Sequence, residues 1–208
     1  CAKRCTQHFY RSLQEPLPYD SVVLAVVCDG MGGAKSGNVA SSLAVDVFVQ
    51  EVTRNWTSQT DWDKCDMILR SAVKLANFTV YDQACQFEEF SGMGTTLVAA
   101  VIRKNQASII NVGDSRCYAI TNGSIRQVTK DHSVVQMMVD RGDLTPETAK
   151  TFPGKNLITR AVGTEPTILS DIYRQDLEKG SFLFLCSDGL SNMLDDQETL
   201  FEVVHGVK

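Results

Sequence analysis

Two consecutive stretches of helical periodicity constrain the fold of this 208-residue chain more than any other feature. Apolar residues recur at helical spacing from about residue 36 to 52, and again from Cys65 to Val80. A continuous apolar run from Val22 to Cys28 precedes them and is typical of a buried strand. Short strand-like runs follow from residue 95 onward, with a two-residue hairpin signal at Asn122-Gly123. Paired helices between hairpin-connected strands predict an α+β fold, in which mainly antiparallel sheets are covered by helices.

The remaining strands and helices are shorter and are bounded by turn residues. Strands are predicted at 95–102, 107–112, 117–120, 125–128, 169–173 and 182–186. Thr145-Pro146 is a suitable N-cap and first-turn proline, so a short helix is predicted to run to about Lys150. Further short helices are predicted at 133–139 and 195–204. We expect residues 1–208 to form a single domain.

The composition argues against several classes of protein. With 25 acidic and 20 basic residues the formal net charge is −5, so no basic surface for nucleic acid is expected. No apolar run reaches the roughly 18 to 20 residues of a membrane span, and the first residues lack the apolar core of a signal peptide. The seven cysteines include no C-x-x-C pair, which argues against a disulfide framework or a zinc ribbon and favours the cytoplasm.

Three strand-like runs end in the same acidic, glycine-containing pattern. They are Val27-Cys28-Asp29-Gly30, Asn111-Val112-Gly113-Asp114-Ser115 and Leu185-Cys186-Ser187-Asp188-Gly189. An aspartate at a strand end, beside a glycine that allows close backbone approach, can direct an oxygen towards a shared point beyond the sheet edge. Mg²⁺ and Mn²⁺ prefer such oxygen ligands. Asp29, Asp114 and Asp188 therefore predict a site for a pair of cations that could activate water and neutralise a phosphoryl group.

Two other interpretations of these segments remain open. Each Asp-Gly pair could be no more than a turn, although three of them at strand ends make this explanation weaker. Residues 29–33, Asp-Gly-Met-Gly-Gly, lie between a strand and a helix and could cradle a phosphate. They match neither G-x-x-x-x-G-K-[ST] nor G-x-G-x-x-G, and Asp29 would repel phosphate unless a metal lay between them.

Six motifs in a fixed order carry a resemblance to a known family. They are Val27-Cys28-Asp29-Gly30-Met31-Gly32-Gly33, Ser91-Gly92-Met93-Gly94-Thr95-Thr96, Asn111-Val112-Gly113-Asp114-Ser115-Arg116, Thr129-Lys130-Asp131-His132-Ser133, Asn156-Leu157-Ile158-Thr159-Arg160-Ala161-Val162-Gly163 and Cys186-Ser187-Asp188-Gly189-Leu190. With them the chain resembles the type 2C, metal-dependent protein serine/threonine phosphatases, especially the bacterial branch. The resemblance covers nearly all of the 208 residues.

The resemblance implies a four-layer αββα sandwich with the metals in a cleft at one edge of the two sheets. It implies two or three Mn²⁺ or Mg²⁺ ions. Asp29 would bridge two cations, the Gly30 carbonyl would hold one of them, and Asp188 would hold the other. Asp114 is similar to the residue that helps to hold the third, weaker cation. Hydrolysis of phosphoserine or phosphothreonine by a metal-bridging water would then need only the catalytic aspartates Asp29 and Asp188 and no nucleophilic side chain.

Two departures from the family pattern fall near the ends of the sequence. Family members open with an arginine before an Asn-Glu/Gln-Asp triplet, whereas residues 6–8 here are Thr-Gln-His. His8 therefore stands where a metal-binding aspartate belongs, and Lys3 or Arg4 would contact the substrate phosphate. A second family motif, Asp-Asn-x-Thr beyond Asp188, is absent from the sequence. The sequence also lacks an initiating Met, so it is expected to be part of a longer protein, with the domain incomplete at its C-terminus.

These departures leave an alternative function open. The principal prediction is a cytoplasmic phosphatase that acts on phosphoproteins, opposes a serine/threonine kinase, is monomeric and binds neither nucleic acid nor membrane. The alternative is a type 2C-like domain that has lost catalysis and acts as a regulatory or scaffold module. A sensor-coupled phosphatase is a third possibility.

His132, Arg116 and Arg160 are predicted to support loops rather than to take part in catalysis. Residues 133–156 correspond to the flap beside the family's metal cleft.

Overall fold

The computed structural model describes residues 5–9, of which only the backbone is considered, together with 22–121, 124–193 and 202. The strands in these ranges are β1 (Cys5–Phe9), β2 (Val22–Met31), β3 (Gly94–Thr95), β4 (Leu97–Arg103), β5 (Gln106–Val112), β6 (Arg116–Thr121), β7 (Ser124–Gln127), β8 (Asp171–Asp176) and β9 (Phe182–Cys186). The helices are α1 (Ala34–Asn55), α2 (Trp62–Gln86), α3 (Val134–Arg141), α4 (Pro146–Lys150) and α5 (Asp188–Ser191), with a 3₁₀ turn at Glu88–Phe90.

The strands form two antiparallel sheets. The larger sheet has the order β1-β2-β4-β5-β8, with β3 also paired to β2, and the smaller sheet has the order β7-β6-β9. Each strand pair in both sheets is antiparallel. The short connections between β4, β5, β6 and β7 explain this, since antiparallel neighbours can be joined by tight turns.

Alternation along the buried strands divides the core between the two faces of the larger sheet. Val26 and Cys28 pack with α1 and α2 on one face, whereas Val27 packs with Val98 and with Cys117 of the smaller sheet on the other. The predicted α+β fold, with two antiparallel sheets and helices packed outside them, is therefore confirmed. In the part of the chain that the structure describes, the helical layer on the far side of the smaller sheet is represented by α5, whose Leu190 packs against Tyr118 and Cys186.

Most of the predicted elements are present, and the differences concern their ends. Strand β9 has the predicted bounds, and Thr145 caps α4 through a reciprocal capping box with Thr148. Asp188 was predicted to lie at the end of the strand 182–186, and it is the first residue of the helix α5 that follows this strand. The hairpin signal at 122–123 lies outside the described residues, as does the predicted helix at 195–204 except for Glu202, which is helical. Among the described helices, none is both long and apolar enough to cross a membrane.

Candidate metal centre

Asp29 lies inside strand β2 rather than beyond its end. The strand continues to Met31 because Gly30 and Met31 pair with β3, so the prediction that the strand ends at Asp29-Gly30 was wrong. Asp29 is only 5% exposed. Its backbone N–H donates to the Thr96 hydroxyl at 3.0 Å, and the Thr96 N–H donates to the Asp29 carbonyl at 3.0 Å. These two bonds fix the backbone that carries the Asp29 carboxylate.

The glycine after Asp29 is required by the first turn of α1. A Cβ atom on Gly30 would lie 1.9 Å from the carbonyl oxygen of Gly37, and a Cβ on Gly37 would lie 2.9 Å from the carbonyl oxygen of Gly30. Neither position can accept a side chain without moving one backbone away from the other. The contact places the N-terminal turn of the 22-residue helix α1 directly against the Gly30 peptide.

Asp114 lies in the turn between β5 and β6 and is partly exposed. Gly113 has φ +102, in the region that favours glycine, and a Cβ there would also lie 2.7 Å from the Thr96 methyl carbon. The turn is therefore packed against Thr96. The Thr96 hydroxyl lies 2.6 Å from the hydroxyl of Ser115, which is fully buried.

Asp188 is buried at the start of α5, with 3% of its surface exposed. The side-chain amide of Asn192, one turn along the helix, donates to Asp188 Oδ2 at 3.1 Å. A buried carboxylate is costly unless polar or charged groups compensate it. Asp29 and Asp188 thus share a property that ordinary turn aspartates lack, because both are almost fully removed from solvent.

Four of the five predicted ligands line two adjoining cavities. The smaller cavity is lined by Asp29, Gly30, Met31, Thr96, Asp114, Asn156 and Ile158. The larger, of about 570 Å³, includes Asp114, Asn156 and Asp188 in its wall and extends along α3 and α4. Asp114 and Asn156 belong to both cavities. The fold therefore brings Asp29 and Gly30 beside Asp114, and Asp114 and Asp188 to the same cleft.

The donor set consists of carboxylate and carbonyl oxygens, which are the ligands that Mg²⁺ and Mn²⁺ prefer. Within the described ranges, no three His, Cys, Asp or Glu side chains are grouped closely enough to hold an ion by themselves. Mg²⁺ characteristically keeps several water ligands and is held by one or two carboxylates. Carboxylates on the walls of two adjoining cavities, with the Gly30 carbonyl among them, match that requirement, and the oxygen-only set does not favour zinc.

The other predicted ligand and substrate residues are placed only in part. His8 lies in β1, where the register sets it opposite Val27 and sets Thr6 opposite Asp29. The backbone of His8 is therefore paired with β2 two residues before Asp29. Lys3 and Arg4 lie outside the described residues.

Arg116 and Arg160 make the loop-supporting contacts that the sequence predicted. The Arg116 guanidinium donates to both carboxylate oxygens of Asp131, at 2.8 to 3.1 Å, and to the Tyr118 hydroxyl at 3.2 Å. Arg160 donates to Asp171 Oδ1 at 3.1 Å. Bidentate pairing of this kind holds a guanidinium in one orientation. Arg116 thereby ties the start of β6 to the loop before α3.

His132 is also structural in its contacts. It is 6% exposed, its Nδ1 accepts from the Gly113 N–H at 3.0 Å, and its Nε2 lies 3.1 Å from Asp171 Oδ2. Burial lowers the pKa of the imidazole below 6.5, more strongly than Asp171 raises it. A neutral, buried ring held on both nitrogens agrees with the predicted structural role and not with that of a proton donor.

Sequence reasoning did not assign a role to Thr96, Ser115 or Asn156. Thr96 connects the Asp29 segment to the Asp114 turn, and Asn156 lines both cavities. Each lies in a motif that the sequence analysis had identified, so the motifs were the available signal. What they lacked was any indication that residues 19 positions apart, such as Thr96 and Ser115, would meet.

Comparison with known proteins places this geometry in a family. The family model described as Protein phosphatase 2C matches residues 18–207. The serine/threonine phosphatase stp of Listeria welshimeri is 37% identical over 179 residues, which are 86% of this chain and 71% of that protein. Among solved structures, the serine/threonine phosphatase Stp1 from Staphylococcus aureus is similar to this chain, with a TM-score of 0.78 and 35% identity. The match covers 93% of this chain and 79% of that one.

A third match bears on the metals. The catalytic domain of the serine/threonine protein phosphatase PstP, in complex with two manganese ions, superposes with a TM-score of 0.74 and 31% identity, covering 98% of this chain and 84% of that one. The resemblance inferred from the six motifs is confirmed. This chain belongs to the protein phosphatase 2C family.

Proposed function

We propose that this chain is a metal-dependent serine/threonine phosphatase that hydrolyses phosphoserine and phosphothreonine in proteins. The serine/threonine phosphatase class rests on family membership and on the names of its relatives. The observation in the structure that carries the proposal is the pair of almost fully buried carboxylates, Asp29 and Asp188, on the walls of two cavities that share Asp114. Burial of two acidic groups beside one cleft is costly without cations to compensate them.

In this proposal Asp29, the Gly30 carbonyl and Asp188 hold two Mn²⁺ or Mg²⁺ ions, and Asp114 holds a third, weaker one. A solved relative in complex with two manganese ions supports the metal requirement. When bound, such ions supply a water acidic enough to attack phosphorus and neutralise the phosphoryl charge. The protein's own part is to hold these oxygens in place, through the Thr96 bonds to Asp29 and the Asn192 bond to Asp188.

The thiols near the site support a mechanism without a cysteine nucleophile. Burial raises the pKa of Cys186, two residues before Asp188, to about 11, and raises that of Cys117 to about 12. Both thiols are therefore protonated at neutral pH and unsuited to attack a phosphoryl group. Cys28, next to Asp29, is fully buried and its pKa is raised further, again chiefly by burial.

The larger cavity supplies room for a substrate segment. Its wall continues from Asp188 past Gln127 of the smaller sheet to Gln136 of α3 and Pro146 of α4. A phosphorylated side chain at the aspartate end would leave the neighbouring peptide beside α3 and α4. We propose Lys3 or Arg4 as phosphate contacts and His8 as an additional metal ligand, because of their place in the family pattern.

The cellular compartment, the functional counterpart and the oligomeric state are further parts of the proposal. The described cysteines, of which Cys28, Cys65, Cys85, Cys117 and Cys186 are free thiols, suit a reducing cytoplasm. A phosphatase of phosphoproteins requires a kinase that phosphorylates the same substrates, and we propose a serine/threonine kinase as the functional counterpart. We further propose that residues 1–208 belong to one domain and act as a monomer.

Hydrolysis of a phosphothreonine peptide and of p-nitrophenyl phosphate, measured with and without Mn²⁺, tests the function. Asp29→Asn should lower kcat/KM by more than about a hundredfold, since loss of mere outer-sphere partners of a metal costs 10- to 100-fold. Asp63→Asn is the matched control, because Asp63 has a fully exposed side chain that lines neither cavity. A folded full-length protein without Mn²⁺-dependent turnover would instead support the regulatory module, which no contact in the described residues favours.

A further inference from the structure

Gly113, which precedes Asp114 in the turn between β5 and β6, forms hydrogen bonds to His132 through both its N–H and its carbonyl. The Gly113 N–H donates to His132 Nδ1 at 3.0 Å, and the Gly113 carbonyl accepts from the His132 N–H at 2.9 Å. The side-chain amide of Asn111 also donates to the Gly113 carbonyl, at 3.2 Å. His132 therefore fixes the direction in which the chain enters Asp114.

The orientation of the His132 ring is set in turn by a surface carboxylate. Because Nδ1 accepts a backbone N–H, it carries no proton, and the neutral ring must carry its proton on Nε2. That proton is donated to Asp171 Oδ2 at 3.1 Å, while Arg160 donates to Asp171 Oδ1 at 3.1 Å. Arg160 Nη1 also lies 3.2 Å from His132 Nε2. In this tautomer both nitrogens are donors, and both donate to the Asp171 carboxylate. Arg160 and Asp171 thus select the tautomer that can bind Gly113.

The Asp114 turn is anchored on its other side as well. Ser115 is tied to Thr96 by the 2.6 Å contact between their hydroxyls, and Thr96 also binds the Asp29 backbone. Asp114 stands between these two anchors at the junction of the two cavities. Its carboxylate is partly exposed, so its position depends on the backbone that the anchors hold.

We propose that His132 is a positioning residue for Asp114, and that it acts through the Gly113 peptide to set the affinity of the weakest cation in the cleft. The inference rests on the proposed function, in which Asp114 helps to hold that cation. The buried His132 ring does not line either cavity, so it acts on the ion only through the turn. Partners of this kind behind a ligand typically change metal affinity by 10- to 100-fold.

Two substitutions at residue 132 separate its two contacts. In His132→Asn the side-chain Oδ1 can take the place of Nδ1 and accept the Gly113 N–H, but the contact with Asp171 is lost. In His132→Gln the side-chain Nε2 can take the place of the ring Nε2 and donate to Asp171, but the acceptor for Gly113 is lost. A residue that merely fills space and stabilises the fold would respond similarly to both changes.

Mn²⁺ binding is measured from the electron paramagnetic resonance signal of the free ion, and folding from circular dichroism. His132→Gln should weaken the weakest Mn²⁺ site by about tenfold or more, whereas His132→Asn should stay within about threefold of the wild type. Asp114→Asn should show the same loss, and the double variant with His132→Gln should be no weaker than Asp114→Asn alone. Equal affinities for His132→Gln and the wild type, or an undiminished further loss in the Asp114→Asn background, would overturn the proposal.

Two further outcomes are decisive. If His132→Gln does not fold, Asp171→Asn carries the test, since Asp171 has a 43% exposed side chain and its replacement disfavours the required tautomer. It should weaken the same site by about threefold or more, and unchanged affinity would contradict the proposal. Because the titration needs no turnover, a wild type that binds Mn²⁺ without hydrolysing phosphoesters would refute the phosphatase while leaving the role of His132 standing.

Discussion

Replacement of Thr96 by valine tests whether the bonds between the Asp29 and Asp114 segments stabilise the site. Valine has nearly the same shape, but it removes the acceptor of the Asp29 N–H at 3.0 Å and the partner of the Ser115 hydroxyl at 2.6 Å. Thr96 and Ser115 are 4% and 0% exposed, so water does not easily replace the lost bonds. At about 1 to 3 kcal/mol for each of the two buried groups that lose their partner, the expected loss of unfolding free energy is about 2 to 6 kcal/mol.

Urea unfolding followed by circular dichroism measures this loss. Thr96→Ser is the matched control, since it keeps the hydroxyl and removes only the methyl group near Gly113, at a cost of about 1 kcal/mol. Adding Ser115→Ala to Thr96→Val should restore part of the stability, because it removes the buried hydroxyl that lost its partner. The reasoning is refuted if Thr96→Val lies within about 0.5 kcal/mol of the wild type, the range of ordinary surface changes, or if Thr96→Ser is the more damaging variant.

Two further predictions concern His132 and a glycine packed on α2. Burial lowers the pKa of His132 below 6.5, so at lower pH the unfolded chain binds a proton that the folded protein does not. The unfolding free energy should therefore fall as pH drops below 6.5, by up to about 1.4 kcal/mol per pH unit. Urea unfolding at pH 7.5 and 5.5 should show a smaller pH dependence in His132→Asn than in the wild type, and an equal dependence in both proteins would contradict the prediction. Gly163→Ala should lower the unfolding free energy, measured by thermal unfolding, by at least about 2 kcal/mol more than Gly180→Ala does. Both glycines have positive φ, but only at Gly163 would the new Cβ meet a side chain, that of Val80, at 2.2 Å. Equal losses for the two variants would show that the Val80 contact is unimportant.

The fold could be predicted from sequence where local chemistry decides it. Strand β9 and the start of α4 were predicted correctly because an apolar run and a Thr-Pro cap each specify their own boundaries. Helix α1 is longer than the predicted 36–52, since its polar ends carry no apolar periodicity. Helix α5 has four residues, too few for a period to be recognised.

The site could be predicted as a set of residues but not as an arrangement. Asp29, Asp114 and Asp188 were recognised from their repeated glycine context, yet they occupy a strand, a turn and a helix start respectively. The glycine at 30 is needed because Gly37 of α1 lies against it, a tertiary contact that no local pattern records. The links through Thr96 and His132 likewise join residues that are distant in sequence, so only the folded chain reveals them.

Anomalous diffraction at the manganese edge, from a crystal grown with Mn²⁺, would test most directly whether the buried aspartates form a two-metal centre. The expected result is two strong peaks about 4 Å apart, with Asp29 between them, the Gly30 carbonyl at one and Asp188 at the other, and a weaker third peak at Asp114. A fully loaded crystal with no peak within about 2.6 Å of a carboxylate oxygen of Asp29 or Asp188 would contradict the proposed centre.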